Sequence, residues 1–162
     1  MKKLYYLFGL SFIWIILDQL SKYFITIKMD LYQSINIIEP YIKITYIYNK
    51  GAAWGILNNQ LYIISLIGIL VLIYIIKYLY KIKDQLTIPL VIAFSFLLGG
   101  LIGNLIDRLF LGYVIDFIDI LIFNYNYPVF NLADCFIVIG TILIIIIFIR
   151  SDTNERYSKR RN

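Results

Sequence analysis

The sequence contains no histidine, a single cysteine and only 15% charged residues. Without histidine the chain cannot form a Ser–His–Asp triad or a His-ligated zinc site, and one cysteine cannot form a disulfide framework. If the protein is an enzyme, its acid–base groups must be Asp, Glu, Lys or Tyr. The 162 residues are 61% hydrophobic with a mean hydropathy of +0.80, whereas ordinary soluble domains contain about 45–50% apolar residues. This composition excludes a disordered chain and argues against a soluble globular domain.

Four long apolar stretches predict four transmembrane helices, at about 4–27, 59–80, 87–108 and 131–150. A helix needs about 20 residues to cross the hydrocarbon core of a bilayer. The first stretch follows two lysines, as in a secretory signal peptide, but Asp18 and Lys22 come where a small-residue cleavage site would be needed. We therefore expect a retained helix, in a single membrane domain over residues 1–162 with loops at about 28–58 and 109–130 and a frayed tail at 151–162.

The basic residues indicate how the four helices are oriented. They cluster before the first helix, between the second and third, and after the fourth, at Lys2, Lys3, Lys77, Lys81, Lys83, Arg150, Arg156, Lys159, Arg160 and Arg161. Because cytoplasmic loops are enriched in Lys and Arg, we expect both termini in the cytoplasm and the two longer loops outside. The net charge of +5 is explained by this topology and by attraction to anionic lipids. It does not indicate nucleic-acid binding, because the basic residues form no separate domain.

The first outer loop has the composition of a small β-sheet. Tyr41–Asn49 is rich in β-branched and aromatic residues, Asn49–Gly51 predicts a turn, and Ala52–Leu57 predicts a returning strand. The second outer loop has no long regular pattern. We therefore expect an all-α membrane protein with four transmembrane helices and a small sheet at the outer membrane surface.

Eight polar residues stand in or beside the predicted helices, where an ionisable side chain costs about 2.5–3.5 kcal/mol on the insertion scale. They are Asp18, Lys22, Asn104, Asp107, Arg108, Asp116, Asn131 and Asp134. At about 1.5 Å of rise per residue, the third helix places Asp107 near its outer end, and the fourth places Asp134 one turn below the same surface. The polar residues thus converge on the outer membrane interface, which predicts a functional site there.

Structural roles also explain several of these residues. Asn131 and Asp134 have the spacing of a helix N-cap followed by an acid, and Asp18 and Lys22 have the i, i+4 spacing of a helical ion pair. Asp107 and its neighbour Arg108 can pair with nearby groups as structural ions. The sequence leaves open whether Asp18 and Asp107 are structural or functional.

Asp116 has no such structural explanation, because it is a lone acid within the apolar run Val114–Ile118. If the fold brings Asp116 and Asp134 together, the two carboxyls can share one proton, since like charges at close range do not both ionise cheaply. Such a pair can activate water and protonate a carbonyl, as in aspartic proteases. Sequence spacing alone does not establish this pair, nor which carboxyl carries the proton.

Five short blocks, in order and spread over most of the chain, resemble the motifs of the lipoprotein signal peptidase family, also called signal peptidase II. They are Asp18-Gln-Leu-Ser-Lys22, Asn49-Lys-Gly-Ala-Ala-Trp-Gly55, Gly103-Asn-Leu-Ile-Asp-Arg108, Val114-Ile-Asp-Phe117 and Phe130-Asn-Leu-Ala-Asp134. Each block alone is weak, but five in order within a four-helix membrane protein of this length are specific.

The resemblance implies an aspartyl endopeptidase of the bacterial cytoplasmic membrane. It implies cleavage of diacylglyceryl-modified prolipoproteins just before the lipidated cysteine, without a metal. Apart from the resemblance, we expect a monomer among membrane lipids, without a cofactor. The implied fold is four helices with a small extracytoplasmic β cradle and a short helix. The family's catalytic aspartates match Asp116 and Asp134, and its substrate-binding or supporting positions match Asn104, Arg108, Asn131, Asn49, Gly51 and Asp18.

Two other functions compete with this interpretation. A small proton-coupled transporter also uses buried carboxylates, but it predicts acids near the membrane midplane. A non-enzymatic assembly factor would use the small-residue face Gly99-x-x-x-Gly103 to dock partner helices, and it predicts that Asp→Asn changes leave bond cleavage unaffected.

Overall fold

The computed structural model describes residues 1–51 and 60–161. The helices are α1 (Lys2–Lys28), α2 (Leu61–Lys81), α3 (Ile88–Phe110) and α4 (Leu132–Arg161), and the strands are β1 (Ser34–Ile38), β2 (Ile42–Asn49), β3 (Val114–Ile122) and β4 (Tyr125–Asn126). Each helix contains a segment long and apolar enough to cross a membrane, which in α4 is Leu132–Arg150. The prediction of four membrane-spanning helices is therefore confirmed.

The C-terminal tail differs from its sequence prediction. The tail after residue 150 is predicted to be frayed, but α4 continues as helix to Arg161. The predicted returning strand over Ala52–Leu57 lies outside the described residues. Within residues 1–51 and 60–161 there is no fifth helix to match the short helix that the resemblance implies.

Glycines let α3 pack closely against its neighbours. A Cβ added at Gly99 would lie 2.6 Å from Cβ of Trp14 on α1, and one added at Gly103 would lie 2.6 Å from Oδ2 of Asp18. A Cβ added at Gly140 on α4 would lie 2.7 Å from the backbone oxygen of Ala93 on α3. Small residues of this kind allow helix backbones to approach in membranes, so the predicted small-residue face is an internal packing face that holds α1 and α4 against α3.

The four strands form one antiparallel sheet in the order β1-β2-β3-β4. Its two hairpins follow α1 and α3, and they pair with each other through β2 and β3, so both lie at one end of the helix bundle, here called the sheet end. The nine-residue strand β3 contradicts the expectation that the second outer loop has no long regular element. The first four residues of β3 are buried, and a strand that is buried on both faces lacks the polar–apolar alternation that would reveal it.

Packing against the end of α1 fixes the position of β3. Ile115 and Phe117 form a small apolar core with Tyr46 of β2 and Met29, the residue that ends α1. Asp119 accepts a 2.7 Å hydrogen bond from the hydroxyl of Thr45 on β2. In the register between the two strands, Asp116 lies opposite Ile47, and its carboxyl accepts a hydrogen bond from Asn131, the residue before α4.

Candidate active site

The polar residues that interrupt the apolar sequence do meet at the sheet end. Six of them are buried, namely Asp18, Lys22, Asn104, Asp107, Asp116 and Asn131, whereas Arg108 and Asp134 are partly exposed. α1, α3 and α4 each contribute side chains near their sheet-end termini, and β3 contributes Asp116. The structure therefore brings together every candidate site residue predicted from the helix spacing.

Asp116 is held by two side-chain amides and is only 1% exposed. Its Oδ2 accepts a 2.8 Å hydrogen bond from Nδ2 of Asn49, and its Oδ1 accepts a 2.6 Å bond from Nδ2 of Asn131. Asn49 is itself held, because its Oδ1 accepts from the backbone N–H of Gly51 at 2.9 Å. Burial, together with the nearby charge of Asp134, raises the pKa of Asp116 to about 7.

Asp134 lies in the first turn of α4 and also accepts two hydrogen bonds. Nδ2 of Asn104 donates to its Oδ1 over 2.7 Å, and the backbone N–H of Asn131 donates to its Oδ2 over 3.2 Å. The side-chain oxygen of Asn131 in turn accepts from the backbone N–H of Asp134 at 3.0 Å. These reciprocal bonds confirm the predicted capping pair.

The same amides connect the two carboxyls. Asn131 caps α4 through its oxygen while its Nδ2 donates to Asp116, and this Nδ2 also lies 3.0 Å from Oδ1 of Asn104. Asp116 and Asp134 are thus joined by a continuous chain of hydrogen bonds through Asn131 and Asn104. The structural and functional interpretations of Asn131 are therefore compatible.

A buried ionic cluster lies behind the amides. Nζ of Lys22 is 2.8 Å from Oδ2 of Asp18 and 2.9 Å from Oδ2 of Asp107, which confirms the predicted Asp18–Lys22 pair and makes Asp107 an ion-pair partner. Lys22 also donates to Oδ1 of Asn104 over 3.1 Å. The sequence indicated a link from Lys22 to Asp18 only, because the other two partners lie on another helix.

Arg108 is placed differently from the ionic cluster. Its Nη1 donates to the backbone oxygen of Asn104 at 3.2 Å. Its Nε is buried and has no hydrogen-bond partner within the part of the chain that the structure describes. Arg108 also lies in the wall of the cavity that Asp116 and Asp134 line, so its guanidinium is next to the dyad.

The cavity has a volume of about 580 Å³. Its polar wall carries Asn49, Asn104, Arg108, Asp116 and Asp134, and the rest is mainly apolar, with Ile120, Tyr127, Val129, Phe130, Cys135, Ile137, Val138 and Ile139 among its residues. Val138 and Ile139 are exposed on the side of α4, so the apolar wall reaches the bundle surface that faces lipid. Sequence reasoning missed these apolar residues because nothing distinguishes them from ordinary lipid-facing positions.

The site contains oxygen and amide groups but no metal-binding arrangement in the described ranges 1–51 and 60–161, where no cluster of three or more His, Cys, Asp or Glu residues is placed to hold an ion. The site holds two carboxyls joined by a chain of amides, next to an apolar space. The pKa of one of them, Asp116, is about 7.

Comparison with known proteins agrees with this geometry. The family model described as signal peptidase (SPase) II matches residues 10–150. A lipoprotein signal peptidase of Alteromonas mediterranea is 44% identical, over 90% of this chain and 84% of the relative. A bacterial membrane enzyme solved by the in meso method at 2.3 Å resolution is 40% identical with a TM-score of 0.81, covering 90% of this chain and 88% of its own.

A second in meso structure of a bacterial membrane enzyme, at 1.9 Å resolution, is 41% identical with a TM-score of 0.75 and covers 86% of this chain and 89% of its own. The family match covers most of the chain, including every polar residue of the site. The chain therefore belongs to the signal peptidase II family, the aspartic-type membrane peptidases that remove the signal peptides of prolipoproteins.

Proposed function

We propose that Asp116 and Asp134 are the catalytic dyad of this signal peptidase, and that the enzyme cleaves just before the lipidated cysteine of diacylglyceryl-modified prolipoproteins. The observation that carries the proposal is that both carboxyls line one cavity and are joined through Asn131 and Asn104. Two carboxyls that share one cavity can act on the same peptide bond, one as general acid and the other as general base.

The proton starts on Asp116, because its pKa of about 7 keeps a large fraction protonated near neutral pH. Asp134 acts as the general base and takes a proton from a water molecule as the water oxygen attacks the scissile carbonyl carbon. Asp116 donates its proton to the carbonyl oxygen, which gives a tetrahedral diol.

Collapse of the diol breaks the C–N bond. The leaving nitrogen takes the proton held by Asp134, and one diol hydroxyl returns its proton to Asp116. The products are a new carboxyl group and a free amine, and the dyad is back in its starting state after the consumption of one water molecule.

The cavity suits a substrate that is part peptide and part lipid. Its polar wall carries the dyad and Arg108, whereas its apolar wall reaches the lipid-facing side of α4 at Val138 and Ile139. An acyl chain entering sideways from the bilayer would lie on the apolar wall while the peptide bond lies at the dyad. The guanidinium of Arg108, which lies in the cavity wall, would then donate to a substrate carbonyl.

Charge and connectivity support a proposed location and orientation. The basic residues of the chain ends and of the α2–α3 connection lie away from the sheet end, so the positive-inside rule puts both termini in the cytoplasm. The sheet end and its cavity then face the outside of the bacterial inner membrane, where exported prolipoproteins arrive. Because one chain supplies both carboxyls and the cavity wall, the enzyme functions as a monomer among membrane lipids.

The experiment is incubation of the purified enzyme with a diacylated prolipoprotein and with the same precursor lacking the lipid. We expect a mass loss equal to the signal peptide for the lipidated precursor alone. Asp116→Asn and Asp134→Asn should each reduce turnover by at least about 100-fold, the scale of a lost general acid or base. Asp84→Asn, an exposed position between α2 and α3, is the matched control and should behave as wild type. Normal turnover by either dyad variant would refute the assignment.

A further inference from the structure

The ammonium group of Lys22 has three hydrogen-bond donors, and each one has an acceptor. The acceptors are Oδ2 of Asp18 at 2.8 Å, Oδ2 of Asp107 at 2.9 Å and Oδ1 of Asn104 at 3.1 Å. Lys22 is only 2% exposed. A buried ion pair is by itself weak evidence for stability, because the cost of removing the charges from water offsets their attraction. A different role therefore has to explain why a lysine is held here.

The two carboxylates that bind Lys22 also hold the backbone on which the dyad is mounted. Oδ1 of Asp18 accepts a 3.0 Å hydrogen bond from the N–H of Ala133, the residue immediately before Asp134. Oδ2 of Asp107 accepts a 3.1 Å bond from the N–H of Ile115, the residue immediately before Asp116. Each catalytic aspartate is thus fixed at its preceding residue by a carboxylate that Lys22 binds.

The third bond of Lys22 sets the orientation of an amide. Oδ1 of Asn104 faces two donors, Nζ of Lys22 and Nδ2 of Asn131. The amide of Asn104 must therefore present its Nδ2 to the other side, where it donates to Asp134 over 2.7 Å. A flipped amide would place its NH₂ group against two donors and its oxygen against the Asp134 carboxylate.

We propose that Lys22 is a positioning residue, which fixes the separation of Asp116 and Asp134 through Asp18 and Asp107 and orients the amide of Asn104 toward Asp134. The proposal rests on the assignment of the dyad above. It states that the lysine is required for the rate of the chemical step, whereas a purely structural ion pair is required only for folding.

Charge gives the proposal an independent readout. The positive charge of Lys22 lowers the pKa of Asp116, so its removal should raise that pKa. The groups facing Asp116 are Lys22 from α1, Arg108 from α3, Asp134 and Asn131 at the start of α4, and Asn49 from β2. Arg108, Asp134 and the two amides remain in a Lys22 variant, so the change in pKa reports on Lys22.

The test compares Lys22→Met with the wild type in kcat, KM and the pH dependence of kcat/KM. We expect kcat to fall about 100-fold, the scale of a misplacement of about 1 Å, with KM little changed. The high-pH limit of kcat/KM, meaning the pH above which kcat/KM declines, should move to a higher pH. Lys28→Met, an exposed position on the same helix, should change none of these. Ser95→Ala, which removes the buried partner of Trp14 at the centre of the bundle, should lower thermal stability without lowering kcat.

Because Lys22→Met leaves two buried carboxylates without their counter-ion, the double variant Asp18→Asn/Lys22→Met is also measured. It removes one charge of each sign, and the new amide oxygen can still accept from the N–H of Ala133. We expect the same loss of kcat, since Asn104 has lost its donor. Wild-type kcat and pH dependence in either folded variant would overturn the proposal.

Amide hydrogen exchange separates this proposal from the proposed function. Lys22→Met should speed exchange at the backbone N–H of Ile115 and Ala133, and Lys28→Met should not. If the wild type cleaves no lipidated precursor, the proposed function fails, while exchange at these two amides still reports whether Lys22 positions them. If the wild type cleaves and Lys22→Met exchanges and cleaves as the wild type does, only the positioning role is refuted.

Discussion

The side-chain amide of Asn131 donates a 2.6 Å hydrogen bond to Oδ1 of Asp116. The other end of the same side chain accepts from the backbone N–H of Asp134. One residue therefore begins α4 and at the same time connects the two proposed catalytic carboxyls. Asn131 therefore links Asp116 directly to the first turn of the helix that carries Asp134.

Replacing Asn131 by serine separates these two roles. A serine hydroxyl can still cap α4, but it is too short to reach Asp116. We expect kcat/KM for the lipidated precursor to fall by about 100-fold or more, the scale of a lost donor in a preorganised site. We also expect stability to fall by about 1–3 kcal/mol, because the carbonyl oxygen of Ile115 loses its donor. Steady-state kinetics and thermal unfolding in the same detergent measure both effects.

The control for Asn131→Ser is a substitution at another helix N-cap, at the opposite end of the bundle. The Thr87 hydroxyl accepts from the backbone N–H of Leu90 at the start of α3. Thr87→Ala should cost about 1 kcal/mol and leave kcat/KM unchanged. If Asn131→Ser behaved in the same way, losing stability alone, Asn131 would be a cap and nothing more.

The pH dependence of cleavage should carry the titration of Asp116. Its pKa of about 7 lies above the ordinary value, so the group is protonated below neutrality and ionised above it. In the proposed mechanism the protonated form donates to the scissile carbonyl. We therefore expect kcat/KM, which reports on the free enzyme, to fall as pH rises through about 7. Initial rates between pH 5 and 9, with thermal unfolding followed over the same range, test this; a flat profile in folded enzyme would contradict it.

The sequence was sufficient to predict the features that depend on continuous runs. The four spans follow from apolar stretches, and the meeting of Asp107 and Asp134 near one surface follows from helix rise alone. It was not sufficient for β3, whose buried first half shows no alternation. Nor could it show that Lys22 bonds to Asn104, 82 positions further along the chain. That contact depends on how closely α1 approaches α3, which is a property of the packed glycine face.

Close packing at that face predicts that two glycine substitutions have different effects on stability. In Gly99→Ala the new methyl group would meet Cβ of Trp14 at 2.6 Å and the backbone oxygen of Ser11 at 3.1 Å. We expect a loss of about 1–3 kcal/mol, typical of overpacking. Gly9 on the same helix as Trp14 has open space around it, so Gly9→Ala should be neutral or gain up to about 1 kcal/mol from helix propensity. Thermal unfolding of the two variants gives the comparison, and equal stability would show that α1 and α3 do not pack this closely.

Arg108 offers the clearest test of how the peptide is held. Its Nη1 donates to the backbone oxygen of Asn104, its Nε is buried without a partner among the described residues, and the residue lines the dyad's cavity. A substrate carbonyl that accepts from the guanidinium would form a hydrogen bond to a charged group, which is stronger than one between neutral groups.

Arg108→Lys keeps the positive charge near the dyad but removes the planar set of donors, including Nε. A charged hydrogen bond contributes about 1.5–3 kcal/mol, so we expect KM for the diacylated precursor to rise roughly 10-fold or more. The high-pH limit of kcat/KM should stay in place, because the charge facing Asp116 is preserved. Arg150→Lys, the same exchange at an exposed position far along α4, should leave KM unchanged. An unchanged KM in Arg108→Lys would instead mean that the planar guanidinium donates to no part of the bound peptide, and the contact to the scissile region would have to be sought at Asn49 or Asn104.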